Sequence, residues 1–120
     1  MDKDTIKYVL NILREGTITW SGRAECLKRA RRQKVEGIWT KKLTTRKKYY
    51  WVCSKCGEEY RDESSMEVDH ISEVGAFKGD WGDFINRLYC GQENLQVLCV
   101  TCHKKKTSNY NATKRFVRKP

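Results

Sequence analysis

The sequence predicts a small α+β fold. Three observations predict it. Helical periodicity is clear at residues 4–15 and 80–89. Short β-prone runs lie at 49–52, 66–71 and 95–98. Two Cys-x-x-Cys pairs, Cys53/Cys56 and Cys99/Cys102, stand 42 residues apart and can staple the β-rich half. At 120 residues the chain has the size of one domain. Hydrophobic residues make up 38% and charged residues 33%, so a large apolar core is not expected. A chain this polar needs a further source of stability, and a structural metal is one recognised source.

In chain order, residues 4–15 read as an amphipathic packing helix. Ile6, Tyr8, Val9, Leu10, Ile12 and Leu13 are expected on one broad apolar face, with Gly16 as the stop. Residues 19–34 read as a second helix, capped by Thr19 or Ser21. Trp20, Ala24, Leu27 and Ala30 would form a thin apolar stripe on an otherwise basic surface. Residues 35–48 show no clear period and suit a basic loop or a short hairpin. The run YYWV at 49–52 is a strand leading into Cys53.

Gly57, directly after the second cysteine of its pair, permits a tight bend with positive φ. Residues 58–63 form an acidic connector. Residues 66–71 read as a strand, with Met66, Val68 and His70 on one side and Glu67, Asp69 and Ile71 on the other. A loop over 72–79 follows. Asp80 can cap a helix to about Tyr89 whose Trp81, Phe84, Ile85 and Leu88 share a core-facing side. Residues 95–98 form a strand, and 99–108 begin a last helix. The chain therefore divides into a basic helical arm over 1–48, a core over 49–107 and a basic tail over 108–120.

The charge is not spread evenly. The net charge is +10. Between Ser21 and Lys48 there are eleven Lys and Arg against two Glu, and from Lys104 onward seven against no acid. Between Glu58 and Glu93 ten acids face three bases. Basic wings flank an acidic waist, whereas a surface serving only solubility would mix the signs. Such wings suit a polyanionic partner, nucleic acid above all. A membrane surface is the rival, but the apolar stripe of the basic helix is thin for anchoring. No apolar run is long enough to span a bilayer. The N-terminus carries acids early and has no small-residue cleavage site, so no secretory signal is expected. Reduced thiols and a cytoplasmic location follow as expectations.

Two paired cysteine turns offer the four thiolates that tetrahedral zinc takes. A redox Cys-x-x-Cys is the alternative, but duplicated pairs are more specific to a metal. Cys26 and Cys90 lack such a partner and read as ordinary buried thiols, Cys90 lying near the zinc without binding it. The chain has two histidines, and both fall in this stretch. With Asp69, His70, Asn94 and His103 a second constellation is present. Cutting a phosphodiester requires an activated water, a held phosphate and a stabilised leaving oxygen. A divalent ion supplies the last two, and a neutral imidazole can take the proton. Taken singly, each residue has a plainer role: a surface acid, a core imidazole, a turn residue, a spare zinc ligand. Their shared place beside the cysteine pairs favours the joint reading.

The segments CSKCGEEYRDESSMEVDHIS and WGDFINRLYCGQENLQVLCVTCHKKKT resemble the HNH endonuclease family, in particular short phage and prophage members with a four-cysteine zinc site. The preceding WSGRAECLKRARRQ resembles their basic arm more loosely. The resemblance covers about Trp51 to Thr107. It implies a ββα-metal core: a two-stranded hairpin and a helix around one catalytic divalent ion. It further implies that Asp69 and His103 bind that ion, that His70 is the general base, and that Asn94 holds the loop and the His70 backbone in register. Cys53, Cys56, Cys99 and Cys102 would bind structural zinc. Some members carry a third imidazole where this chain has Thr107. Two protein ligands with waters and phosphate oxygens then suit magnesium or manganese. DNA is the implied substrate, the host cytoplasm the implied location, and phage terminase or packaging proteins the implied partners. The alternative is a zinc-stabilised DNA-binding or packaging-accessory module with weak or no cleavage.

Overall fold

The computed structural model describes residues 1–33 and 49–118, with side chains through 112. The segment read as a basic loop or hairpin, 35–48, lies outside the described residues. Helix α1 spans Lys3–Gly16 and α2 spans Ser21–Ala30. Three short strands follow: β1 (Arg32–Gln33), β2 (Tyr49–Val52) and β3 (Glu59–Tyr60). Strand β4 (Met66–His70) leads through a loop to α3 (Trp81–Leu88). Strand β5 (Leu95–Cys99) runs directly into α4 (Val100–Arg118). The architecture is thus a small α+β assembly. Among the described residues no helix is long and apolar enough to cross a membrane.

Helix α1 starts where Asp2 accepts a hydrogen bond from the Thr5 N–H at 2.7 Å. Its expected single apolar face is divided. Ile6, Val9, Leu10 and Leu13 are half-buried, but Tyr8 and Ile12 are 66% and 49% exposed. The reason is angular. At about 100° per residue, Tyr8 and Ile12 fall on the side of the helix opposite the other four. The Tyr89 hydroxyl donates to the Leu13 carbonyl at 2.5 Å and fixes this helix to the end of α3.

Helix α2 is shorter than the periodicity predicted. It ends at Ala30, and Arg31 takes an extended conformation. Arg32 and Gln33 then pair antiparallel with Tyr50 and Tyr49, and the Arg31 guanidinium lies over the Tyr49 ring at 3.9 Å. Strand pairing overrides a helix-favouring sequence here. Neither Thr19 nor Ser21 caps the helix: Trp20 occupies that position, with no side-chain bond. Cys26 and Leu27 are buried, Trp20 and Ala30 half-buried, and Ala24 exposed. The supposed connector over 58–63 holds strand β3, paired to β2 through Trp51 with Tyr60 and Val52 with Glu59. The turn of the first cysteine pair brings the two strands back together. Gly57 in that turn has φ +75°.

The second sheet is the hairpin β4–β5, antiparallel with Met66 opposite Cys99, Asp69 opposite Gln96 and His70 opposite Leu95. One core joins it to α2 and to the cysteine turn: Leu27, Trp51, Met66, Val97 and Leu98 pack with Cys26, Cys53, Cys99 and Cys102. The Trp51 indole N–H donates to the Leu27 carbonyl at 2.9 Å, tying the end of α2 to β2. Met66 and Leu98 are almost fully buried, each contributing about 1.5–3 kcal/mol by removal from water. A second apolar group lies under the 72–80 loop, where Phe77 stacks on Trp81 at 4.2 Å and meets Phe84 edge-on. Asp80 caps α3 through the Asp83 N–H at 3.1 Å. Phe84 and Leu88 are buried, but Ile85, expected in the core, is 38% exposed at the margin of that face.

Candidate metal and catalytic centres

The four paired cysteines come together. Their sulfurs all lie within 4.8 Å of one another, with Cys56 Sγ and Cys99 Sγ 4.0 Å apart. Two of the sulfurs lie in the turn after β2, one ends β5 and one lies in the first turn of α4. The Ser54 N–H donates to the Val97 carbonyl at 3.0 Å and anchors the turn to β5. The Cys56 N–H faces Cys53 Sγ at 3.5 Å, and the Cys102 N–H faces Cys99 Sγ at 3.4 Å. The two halves thus repeat one local geometry.

Burial opposes charge on Cys53, but backbone N–H groups of Cys56, Cys99 and Lys55 outweigh it and hold the thiol down at about 6. Cys99 is lowered too: burial opposes it, while the Tyr60 hydroxyl and the Cys102 N–H favour its thiolate. Cys102 is pushed up to about 12, first by its hydrogen bond to Cys99 and then by burial. A divalent cation among the four sulfurs would deprotonate them all. Ligands of tetrahedral zinc at ~2.3 Å stand ~3.8 Å apart, so the sulfurs fit a metal such as zinc with only small adjustment. No disulfide is present among the cysteines. Cys26 is buried, and burial raises its thiol. Cys90 is half-buried and sits 3.8 Å from the Asn94 amide nitrogen.

The other constellation lies one residue away along α4. Asp69 and His70 end β4 and point to opposite sides of the strand. Asp69 is a buried carboxylate, 7% exposed. Its Oδ1 faces His103 Nε2 at 3.7 Å. Two ligands of one cation with bonds of ~2.1 Å stand roughly 3–4 Å apart, so this pair fits a divalent ion. Its Oδ2 accepts from Gln96 Nε2 at 2.9 Å and from Lys106 Nζ at 2.5 Å.

His70 turns the other way. Its Nε2 lies 2.7 Å from the carbonyl of Leu88, the last residue of α3. A carbonyl can only accept, so Nε2 carries the hydrogen, and in the neutral ring the lone pair falls on Nδ1. Asn94 holds the chain just beyond. Its Oδ1 accepts from the Ser72 N–H at 2.8 Å, its Nδ2 donates to the Ser72 carbonyl at 3.3 Å, and its own carbonyl accepts from the Ile71 N–H at 2.8 Å. Three bonds therefore fix the two residues after His70. Arg87 braces the same loop from α3, donating to the carbonyls of Val74 and Ala76.

A cleft of about 250 Å³ opens beside the two histidines. Its walls include Trp20 at the cap of α2, Arg23 from α2, Glu67 and Val68 from β4, and Leu95 from β5. The basic arm therefore contributes directly to the space next to His70 and His103. Three groups were not singled out from sequence: Gln96, Lys106 and the Leu88 carbonyl. Gln96 follows from strand register, since it lies opposite Asp69. Lys106 follows from helix geometry, since it stands one turn after His103. Only tertiary packing brings Leu88 to His70.

Over 64 aligned residues, this sequence is 39% identical to a protein described as a probable HNH endonuclease from Lactococcus phage SK1. The resemblance to HNH endonucleases holds over about half of the chain. The alignment covers 52% of this chain and 61% of that relative, so the chain spans less than two thirds of its length. No protein-family model matches the sequence, and no solved structure matches it.

Proposed function

We propose that the protein is a metal-dependent HNH endonuclease that hydrolyses DNA phosphodiester bonds. The observation that carries this reading is the division of labour at the end of β4. Asp69 faces His103 across a cation-sized gap, while His70 points away with Nε2 held by Leu88 and no partner for Nδ1 among the described residues. The similarity to a phage protein of that description supports it.

In the proposed reaction, His70 Nδ1 takes a proton from water as the water oxygen attacks phosphorus and the bond to the 3′ oxygen breaks. General-base catalysis of this kind contributes about 10²–10⁴-fold. Asp69 and His103 would hold one divalent ion, magnesium or manganese, which would supply charge stabilisation for the phosphate and the leaving 3′ oxygen. Asn94 keeps the backbone after His70 in place. Arg23, in the cleft wall, contacts a phosphate of the bound strand. Cys53, Cys56, Cys99 and Cys102 hold zinc and thereby set where α4 starts and where His103 stands. The core of this activity is 49–107, with 1–48 and the tail 108–120 adding basic contacts to DNA. Phage terminase or packaging proteins are the proposed partners, and the host cytoplasm the proposed location.

The test is cleavage of supercoiled plasmid with magnesium or manganese by wild type and His70→Ala. Cleavage by wild type that is lost in His70→Ala, with DNA binding kept, supports the enzyme. Tight DNA binding by wild type without cleavage under any divalent ion replaces it with a DNA-binding or packaging-accessory module.

A further inference from the structure

Lys106 joins the two halves of the catalytic constellation. Its Nζ lies 2.5 Å from Asp69 Oδ2, 2.6 Å from the His70 carbonyl and 3.6 Å from Glu73 Oε1. An ammonium has three N–H donors, and three oxygens surround this one. Two carboxylate oxygens and a backbone carbonyl are also a donor set that suits a hard divalent cation. Here a side-chain cation occupies it. The oxygens of Asp69 are thereby assigned separately, Oδ2 to Lys106 and Gln96, and Oδ1 to the gap before His103.

We propose that Lys106 is a positioning residue that fills a second cation position beside Asp69 and so confines the centre to one divalent ion. This rests on the reading that Asp69 and His103 hold such an ion. A fixed positive charge on the same buried carboxylate competes with an ion at Oδ1, because like charges a few ångströms apart repel more strongly beside a protein surface than in bulk water. The centre therefore binds a divalent ion weakly until a phosphate brings further negative charge. A lysine serving only to satisfy a buried acid predicts the opposite sign: its loss would leave Asp69 loose and weaken ion binding.

The experiment titrates Mn²⁺ into the full-length, zinc-loaded protein and follows free Mn²⁺ by electron paramagnetic resonance. Wild type, Lys106→Met, Lys106→Gln, Lys106→Arg and His103→Ala are compared. Wild type is expected to bind one Mn²⁺, and His103→Ala to lose it. Lys106→Met and Lys106→Gln should bind Mn²⁺ at least about tenfold more tightly, or bind a second ion. Lys106→Arg, which keeps the charge, should match wild type. Equal or weaker binding of a single ion by both uncharged variants overturns the proposal, as does tightening in Lys106→Arg. If only one uncharged variant retains zinc, it decides. Loss of zinc from both makes the lysine a folding requirement and also overturns the proposal. Absence of Mn²⁺ binding in wild type, or binding indifferent to His103→Ala, defeats the Asp69–His103 reading itself and the proposal with it.

Discussion

Cys102 and His103 are neighbours on one helix, yet they face centres of opposite character. The cysteine centre is closed, with three of its four sulfurs buried and backbone N–H groups turned toward two of them. The Asp69–His103 centre is open: two protein groups face each other at 3.7 Å beside a cleft. Closed sites with four soft ligands suit structure, whereas sites with few ligands leave room for substrate. One helix start serves both, so on the proposed function a metal that stiffens the first centre would set the position of His103 in the second. A misplacement of about 1 Å at a reacting centre can cost roughly 10²-fold in rate, which gives that coupling its value.

The sharpest break between the two centres is expected from the cysteines. Cys56→Ser should remove the structural metal and unfold the core, as seen by circular dichroism and a zinc assay, with loss of all activity. Cys26→Ser, outside the cluster, should lower stability by only about 1 kcal/mol. Equal damage from both would mean that the thiols are wrongly assigned. Next in size, His70→Ala should reduce DNA cleavage by about 10²–10⁴-fold without disturbing zinc content or the fold.

His103→Ala should separate the centres directly. Zinc should remain at one per chain while the Mn²⁺ site disappears, and joint loss of both metals would show that the two are not independent. The smallest effect is expected at the cleft wall. Arg23→Ala should weaken DNA binding several-fold and make the logarithmic salt dependence shallower by about one phosphate contact, measured by fluorescence anisotropy across a salt series. An unchanged salt slope would remove Arg23 from the DNA surface.

What was legible in the sequence follows from how local each signal is. The cysteine pairs, the Gly57 turn and the Asp80 cap depend on spacings of a few residues, and the structure has them as expected. The alternation in β4 also held, with Met66 and Asp69 buried on opposite sides. Three expectations failed where the outcome depends on distant partners. Helix α2 stops early because Arg32 and Gln33 find Tyr50 and Tyr49. The acidic connector becomes β3 because the cysteine turn returns it to β2. Lys106, counted only in the basic run from Lys104 onward, enters a part-buried network because α4 crosses the end of β4.

By itself, then, the sequence determined that there are two groups of metal-binding residue types, that they adjoin, and that basic segments flank an acidic middle. Residue chemistry and short spacings are enough for that. Only the tertiary structure decided that Asp69 gives one oxygen to Lys106 and the other to His103, that Leu88 sets the orientation of His70, and that α2 forms a wall of the cleft. Each of these joins residues 18 to 80 positions apart. Such contacts are selected by packing and by the cost of leaving a buried polar group unpaired, and no local pattern encodes them.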